Sequence, residues 1–357
     1  MAQMDDFSKF KVMELPRSVV VGHDALLETG KTCRGLGLDG TALIVCDSVT
    51  QKIAGERTAE LMREANYCVE TFLITEANEE AILGAMEAAK AARARFMLGI
   101  GGGRPIDVAK CASFNLKMPF LSVPTAASHD GIVSSRASIM NKKGRKESLG
   151  AQPPLALIAD TGIICKAPAR LLAAGCGDII SNYTAVLDWK LAHRLKHEYF
   201  SSYAASLSEM SARLLIEQAE SIKPGFEESA WFVVKALVSS GVAMSIAGSS
   251  RPASGAEHAF SHKLDEIAAT PALHGEQCGV GSIMMMYLHG GDWQGIRTAL
   301  REVGAPTMAK EIGISPDEVV EALCRAHEVR PDRYTILGDN GLTHEAALNL
   351  AKTTKVI

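Results

Sequence analysis

Three observations predict an α/β half with a parallel sheet, followed by an all-α half. Short apolar, β-branched runs alternate with amphipathic helical stretches through the first part of the chain. Strand signals then vanish after about Ile164, where long helical patterns take over. Finally, Pro168, Pro224, Pro252, Pro271, Pro306 and Pro331 fall between or at the edges of those patterns, as helix breakers do. A chain of 357 residues holds about two domains at roughly 150 residues each. The boundary is placed near residue 165, giving units 1–165 and 166–357.

The expected strands are Ser18–Val21, Ala42–Cys46, Val69–Ile74, Phe96–Ile100, Phe120–Val123 and Leu155–Ala159. Each is almost continuously hydrophobic, which is the pattern of a parallel sheet covered on both faces. Val49–Ala65 and Glu79–Ala94 read as helices between them. Ile139–Leu149 differs: Asn141-Lys142-Lys143-Gly144-Arg145-Lys146 is a basic turn between β-prone flanks, a hairpin appended to the sheet. As a phosphate clamp the turn is the weaker reading, and as a solvated tip the stronger. Beyond Ile164 the helical patterns are Gly177–Lys196, Ser201–Ile222, Glu228–Ala247, Ala256–Ile267, Gly279–Leu288 and Pro316–His327.

Composition narrows the function. Lys+Arg 37 against Asp+Glu 41 gives a formal charge of −4, spread along the chain. That excludes a nucleic-acid binder working through a basic face, and a polybasic membrane-surface protein. The 8 cysteines form no C-x-x-C pair and read as buried apolar residues of a reducing compartment, so a cytoplasmic protein is expected. The stretch MAQMDDFSKFKV is polar and charged, unlike a secretory signal. No membrane span is expected, since no apolar run approaches the ~20 residues one requires.

Glycines carry the first functional signal. Arg95–Ile100 reads as a strand that runs into Gly101-Gly102-Gly103-Arg104-Pro105, then into a helix from Ile106. Bare backbone N–H groups at a helix start, aided by the helix dipole, attract a phosphate. The pattern is neither G-x-G-x-x-G, because Ile106 holds the third position, nor a P-loop, because no G-K-[ST] follows. Ser122-Val123-Pro124-Thr125-Ala126-Ala127-Ser128 follows the next strand. Ligands of open parallel sheets gather at the strands' carboxyl ends, which places Thr125 and Ser128 beside the same nucleotide. Asp47 ends the second strand, where it either accepts from a ribose hydroxyl or caps a helix.

Histidines carry the second signal. His193 and His197 share i,i+4 spacing, but Lys and Arg surround them, as on a solvated helix face. His258 and His262 have the same spacing behind a small-residue lead-in, Gly248 to Gly255, that suits a cleft wall. No Glu follows His258, which excludes the H-E-x-x-H protease arrangement. His274 lies just outside the next expected helix, and Gly175-Cys176-Gly177-Asp178 opens the first helix of the second half. An Asp–His–His set would leave positions open on Zn²⁺ for substrate oxygens. A helix-capping Asp178 with buried, satisfied histidines fits the same spacing.

With these residues, five blocks resemble the archaeal sn-glycerol-1-phosphate dehydrogenases: Gly101–Lys110, Pro124–Gly131, Gly177–Trp189, Ala256–His262 and His274–Gly281. Those enzymes belong to the superfamily of glycerol dehydrogenase, dehydroquinate synthase and the iron-type alcohol dehydrogenases. The resemblance covers essentially the whole chain. It implies a Rossmann-like nucleotide domain, a helical domain, and an active site in the cleft between them. Gly102, Gly103, Arg104, Pro105, Ile106 and Asp107 would hold the phosphates of NAD or NADP. Thr125, Ala126, Ala127, Ser128 and Ser134 would complete that site, beside Asp47. Asp178, His258 and His274 would bind one Zn²⁺ per subunit, and Asp130, Asp178 and His262 would meet the substrate and act in catalysis. Asn182 stands where iron-type alcohol dehydrogenases place a fourth ligand, and Asp178 where dehydroquinate synthases use Glu.

The implied reaction is reversible, zinc-dependent reduction of dihydroxyacetone phosphate by NAD(P)H to sn-glycerol 1-phosphate, the glycerophosphate backbone of archaeal membrane lipids. Zn²⁺ would polarise the ketone, with His262 attracting the phosphate or relaying a proton. A polyol dehydrogenase acting on glycerol is the nearest alternative, and a dehydroquinate-synthase-like lyase the next. The expected partners are a small phosphorylated substrate and further copies of the chain, in a homo-oligomer.

Overall fold

The computed structural model describes residues 12–142, 144 and 146–357. Most of the polar N-terminal stretch, together with Lys143 and Arg145 of the basic turn, lies outside the described residues. The strands are β1 (Ser18–Gly22), β2 (Thr41–Asp47), β3 (Cys68–Ile74), β4 (Ala94–Gly101), β5 (Phe120–Pro124), β6 (Arg136–Met140), β7 (Lys146–Gly150) and β8 (Ala156–Asp160). Six of them form one sheet in the order β1-β8-β5-β4-β2-β3, every neighbouring pair parallel. β5 and β8 are buried along their whole length, as their apolar runs require.

Alternation along the strands feeds two cores. Ala42, Ile44, Phe96, Leu98 and Ile158 face one side with Met62, beneath α1 (Thr29–Gly35) and the run α2 (Ser48–Thr50) to α3 (Glu56–Glu64). Leu43, Val45, Met97 and Leu157 face the other with Ala85 and Ile106, beneath α4 (Glu79–Ala91) and α5 (Gly103–Leu116). The second core continues without a break into the helical half, through Ile179, Val233, Phe260 and Val280. β2 pairs with β3 on one side and β4 on the other, so the chain reverses its direction of winding there. The carboxyl ends of β2 and β4 therefore flank a crevice open to a ligand.

After β8 the described residues contain helices and turns alone: α6 (Thr161–Ile164), α7 (Ala169–Lys196), α8 (Ser202–Glu217), α9 (Glu227–Ala247), α10 (Ala256–Ile267), α11 (His274–Leu288), α12 (Trp293–Glu302), α13 (Pro316–Arg325) and α14 (His344–Thr353). Two helix starts differ from expectation. α7 begins at Ala169, behind Pro168, so Gly175, Gly177 and Asp178 lie inside it. α11 begins at His274 itself, where the Glu276 carboxylate caps Leu273 N–H. The hairpin forms, but as a separate antiparallel pair of β6 and β7. It is pinned to the α/β half by Met140 N–H on the Ala77 carbonyl and Ser138 N–H on the Asp107 carboxylate.

One described helix, α9, is long and apolar enough by length and composition to cross a bilayer. Here it packs inside the helical half, with Val233, Val234 and Leu237 fully buried.

Candidate active site

Glycines bring the site together. A Cβ on Gly175 would collide with the Ala127 carbonyl oxygen, and one on Gly275 with the carbonyl oxygen of Ala174. Only glycine allows α7 to touch both the loop after β5 and the start of α11. The same contacts place Asp178, mid-helix and 2 % exposed, beside His258 of α10 and His274 of α11.

Asp178 Oδ2 accepts the Asp130 N–H at 2.9 Å. Its Oδ1 faces His258 Nε2 at 3.8 Å and His274 Nε2 at 3.7 Å. These spans are too long for hydrogen bonds and suit donors arranged around one ion. Cys278 joins the group, and one donor atom from each of the four lies within 4.8 Å of the others. The far sides of the rings are anchored. His258 Nδ1 donates to Glu257 Oε1 at 2.9 Å, and His274 Nδ1 meets Ser261 Oγ at 3.1 Å. With Nδ1 of each ring engaged on these partners, Nε2 is the atom that each ring turns toward Asp178. A buried carboxylate oxygen, two inward imidazole nitrogens and a thiol form a donor set that fits a zinc-type cation. This structure favours the ligand reading of Asp178 over the capping one, because a residue in the third turn of a helix caps nothing.

Burial, and next the nearby Asp130, push the Asp178 carboxyl up to about 7. His262 stacks on His274, with ring centroids 5.5 Å apart. Burial, then His258 and Arg330, push His262 down to about 3. Asp130 Oδ2 accepts from Ser240 Oγ at 2.7 Å, and Asn182 Nδ2 donates to that same hydroxyl at 3.0 Å. Asn182 thus acts behind Asp130.

At the nucleotide end, Gly102 is the N-cap of α5, and a Cβ there would meet nothing within 4 Å. Gly101 has φ +150° and its carbonyl accepts the Thr125 N–H at 2.9 Å, which ties the two expected nucleotide loops together. Pro105, Ile106, Thr125, Ala126 and Ala127 are buried and offer main chain rather than side chain, while Arg104 is exposed and bonds the Thr75 carbonyl. Ser128 is half-buried.

Other expected contributors are committed elsewhere. Asp47 Oδ1 caps α2 through the N–H groups of Val49 and Thr50. Asp107 binds Lys110 Nζ at 3.4 Å and Ser138 N–H at 3.0 Å, so its carboxylate faces the hairpin. Ser134, 1 % exposed, accepts the Arg136 N–H. In the basic turn, Lys142 pairs with Glu79 in solvent. Lys146 instead reaches Asp265 at 3.2 Å, close enough for its charge to disfavour protonation of His262 and His274. Sequence reasoning missed Glu257, Cys278, Ser240 and Ser261. The i,i+4 spacing of His274 and Cys278 was the available signal for the second of these.

Residues 20–168 match the family model described as iron-containing alcohol dehydrogenase. The chain is 62% identical over 347 residues to glycerol-1-phosphate dehydrogenase [NAD(P)+] of Methanosarcina mazei, covering 97% of each chain. It is also 62% identical, with the same coverage, to the Methanosarcina acetivorans protein of that name. Among solved structures, glycerol dehydrogenase from Schizosaccharomyces pombe superposes with a TM-score of 0.78 at 20% identity, over 97% of this chain and 91% of the other.

Proposed function

The chain belongs to the glycerol-1-phosphate dehydrogenases, and we propose that it reduces dihydroxyacetone phosphate with NAD(P)H to sn-glycerol 1-phosphate at the Asp178–His258–His274 cluster. The observation that carries this reading is the convergence of those three side chains, from three helices, beside Asp130, with Asp178 on the helix held against the expected nucleotide loop.

When bound, zinc supplies Lewis acidity toward the ketone oxygen and the nicotinamide supplies hydride. The chain's own residues position and protonate. Glu257 and Ser261 fix the two histidine rings. Ser240 and the Asn182 amide hold one oxygen of Asp130, so that the other faces the substrate hydroxyls and limits their orientations. His262, stacked on His274, faces the substrate, where its imidazole relays a proton from solvent at one ring nitrogen to the developing hydroxyl at the other. The main chain of Gly102 and Gly103, at the start of α5, receives the dinucleotide phosphate. Thr125 to Ser128 and Ser134 shape the rest of the cofactor site by packing and main-chain contacts. For Asp107 the proposed contact is with its main chain alone.

The deciding experiment is a coupled reduction assay with chiral identification of the product, run beside a glycerol oxidation assay. Formation of sn-glycerol 1-phosphate is expected, lost on chelation and restored by Zn²⁺. His274→Ala should abolish both zinc binding and reduction, and full activity in metal-free His274→Ala would sink the mechanism. The eight free cysteines suit a reducing, cytoplasmic setting, and we expect a homo-oligomer, which sedimentation would test.

A further inference from the structure

We infer that Arg330 and Arg333 form the subsite that holds the substrate's phosphate, a refinement resting on the reaction proposed above. Both line a narrow pocket together with His262, Ala259, Ser254 and Thr335. Both also line an adjoining cleft of about 380 Å³, where Arg136 and Ser249 meet them.

The hydrogen bonding of the pair points to an anion. Arg330 Nη1 donates to Ser250 Oγ at 3.2 Å, and Arg333 Nη1 donates to the same hydroxyl at 3.2 Å and to the Ser254 carbonyl at 3.1 Å. Among the described residues these are their hydrogen bonds, which use a minority of each fork of N–H donors. Among the described residues neither makes an ion pair. The neighbouring Arg251 is the contrast, because its guanidinium is paired with both oxygens of Glu198 and with the Tyr334 carbonyl. Among the described residues, the carboxylates that act on Arg333 are that engaged Glu198 and the exposed Asp332, while Glu14 lines the cleft.

Two half-buried cations that share one neutral hydroxyl repel each other, and burial followed by that repulsion lowers Arg333 below the ordinary guanidinium range. A dianion with three acceptor oxygens removes the repulsion and fills the donor forks. Position agrees with charge. His262 separates the pair from the metal-type cluster by one stacked imidazole, a reach that suits a three-carbon substrate with a phosphate at one end. A neutral substrate such as glycerol needs no such pair.

The test uses the zinc-loaded enzyme with Arg330→Gln, Arg333→Gln and Arg333→Lys, assayed on dihydroxyacetone phosphate and on unphosphorylated dihydroxyacetone. Losing a charge-assisted hydrogen bond predicts a KM for the phosphate ester raised about 10- to 150-fold. The preference for the ester over dihydroxyacetone should fall by a similar factor, with Arg333→Lys recovering part of it. Inorganic phosphate should compete with dihydroxyacetone phosphate in the wild type and lose that competition in Arg333→Gln. Equal losses on both substrates, or non-competitive phosphate inhibition that marks a separate regulatory site, overturn the inference. A change in the NADPH-to-NADH preference overturns it too, by assigning the arginines to the cofactor. If the wild type does not reduce dihydroxyacetone phosphate, the proposed reaction fails. Calorimetric titration with inorganic phosphate still reads the anion site in that case, and equal binding by wild type and Arg333→Gln refutes it. Should Arg333→Gln not fold, Arg330→Gln and Arg333→Lys carry the same comparison.

Discussion

Replacing Glu257 by glutamine tests whether the residues behind the histidines set the affinity of the metal site. Glu257 is fully buried. Its Oε1 accepts from His258 Nδ1 at 2.9 Å and Gly255 N–H at 2.6 Å, and its Oε2 accepts from Thr184 Oγ1 at 2.8 Å. Glutamine can keep its oxygen on His258 and Gly255, so the fold survives, while the charge that makes the imidazole a stronger donor is lost. Such outer partners are worth about 10- to 100-fold in metal affinity, or about 1.4–2.8 kcal/mol. Alanine is a different perturbation. Thr184 can fall back on the Ser181 carbonyl at 2.9 Å, but Gly255 N–H and His258 Nδ1 are orphaned, at about 1–3 kcal/mol each. Glu257→Ala should therefore be destabilised by about 2–6 kcal/mol and Glu257→Gln by far less. Zinc affinity is measured by competition with a chromophoric chelator, and stability by urea unfolding of the metal-free chain. Wild-type zinc affinity in Glu257→Gln would refute the reasoning, as would unchanged stability in Glu257→Ala.

Two further outcomes follow from the packing and the ion pairs. Gly175→Ala forces a Cβ onto the Ala127 carbonyl and should cost about 1–3 kcal/mol by overpacking; a melting temperature at or above wild type contradicts the close-approach argument. For Glu209, burial raises the carboxyl, but hydrogen bonds from Lys190 and Arg213 outweigh it and hold the group below its ordinary value. Stability from this carboxylate is present above its unfolded pKa of about 4.3 and lost as pH falls through the lower folded value. Glu209→Gln should thus be less stable by about 1 kcal/mol at pH 7. That gap should close in acid, and a gap that persists unchanged at pH 3 excludes the ion-pair explanation.

Periodicity made the sheet legible: all six expected strands lie in it, and the inner strands, buried on both faces as β5 and β8 are, have few polar positions to blur their runs. The start of α7 was not legible. Gly175 and Gly177 look like a helix boundary because glycine is a poor helix former, yet they sit inside the helix where another backbone passes. His274 was displaced from its helix for a related reason: Gly275 and Gly279 dilute the first two turns. Asp178, His258 and His274 were recognisable as residue types of a metal site, and the family resemblance separated His258 from His262. Spacing alone could not find Glu257 or the Arg330–Arg333 pair. Their roles come from tertiary neighbours, and neither a glutamate beside a histidine nor two arginines near a C-terminal turn stand out in a sequence.

The glycines explain why the two halves act as one device. Each interior glycine in α7 costs about 1 kcal/mol of helix stability relative to alanine, so its presence needs a compensating contact. Gly175 against the Ala127 carbonyl and Gly177 against that of Gly275 supply it. The first contact abuts the loop whose Thr125 N–H bonds Gly101, at the mouth of the nucleotide crevice. The second abuts the residue next to His274. Asp178, one residue from Gly177, also accepts the Asp130 N–H from that same loop. A shift of α7 therefore moves the metal carboxylate relative to the nucleotide loop while leaving the composition of either site unchanged. Because hydride transfer depends steeply on the approach of donor and acceptor, substitutions at these glycines that still fold should lower kcat more than they weaken cofactor or zinc binding.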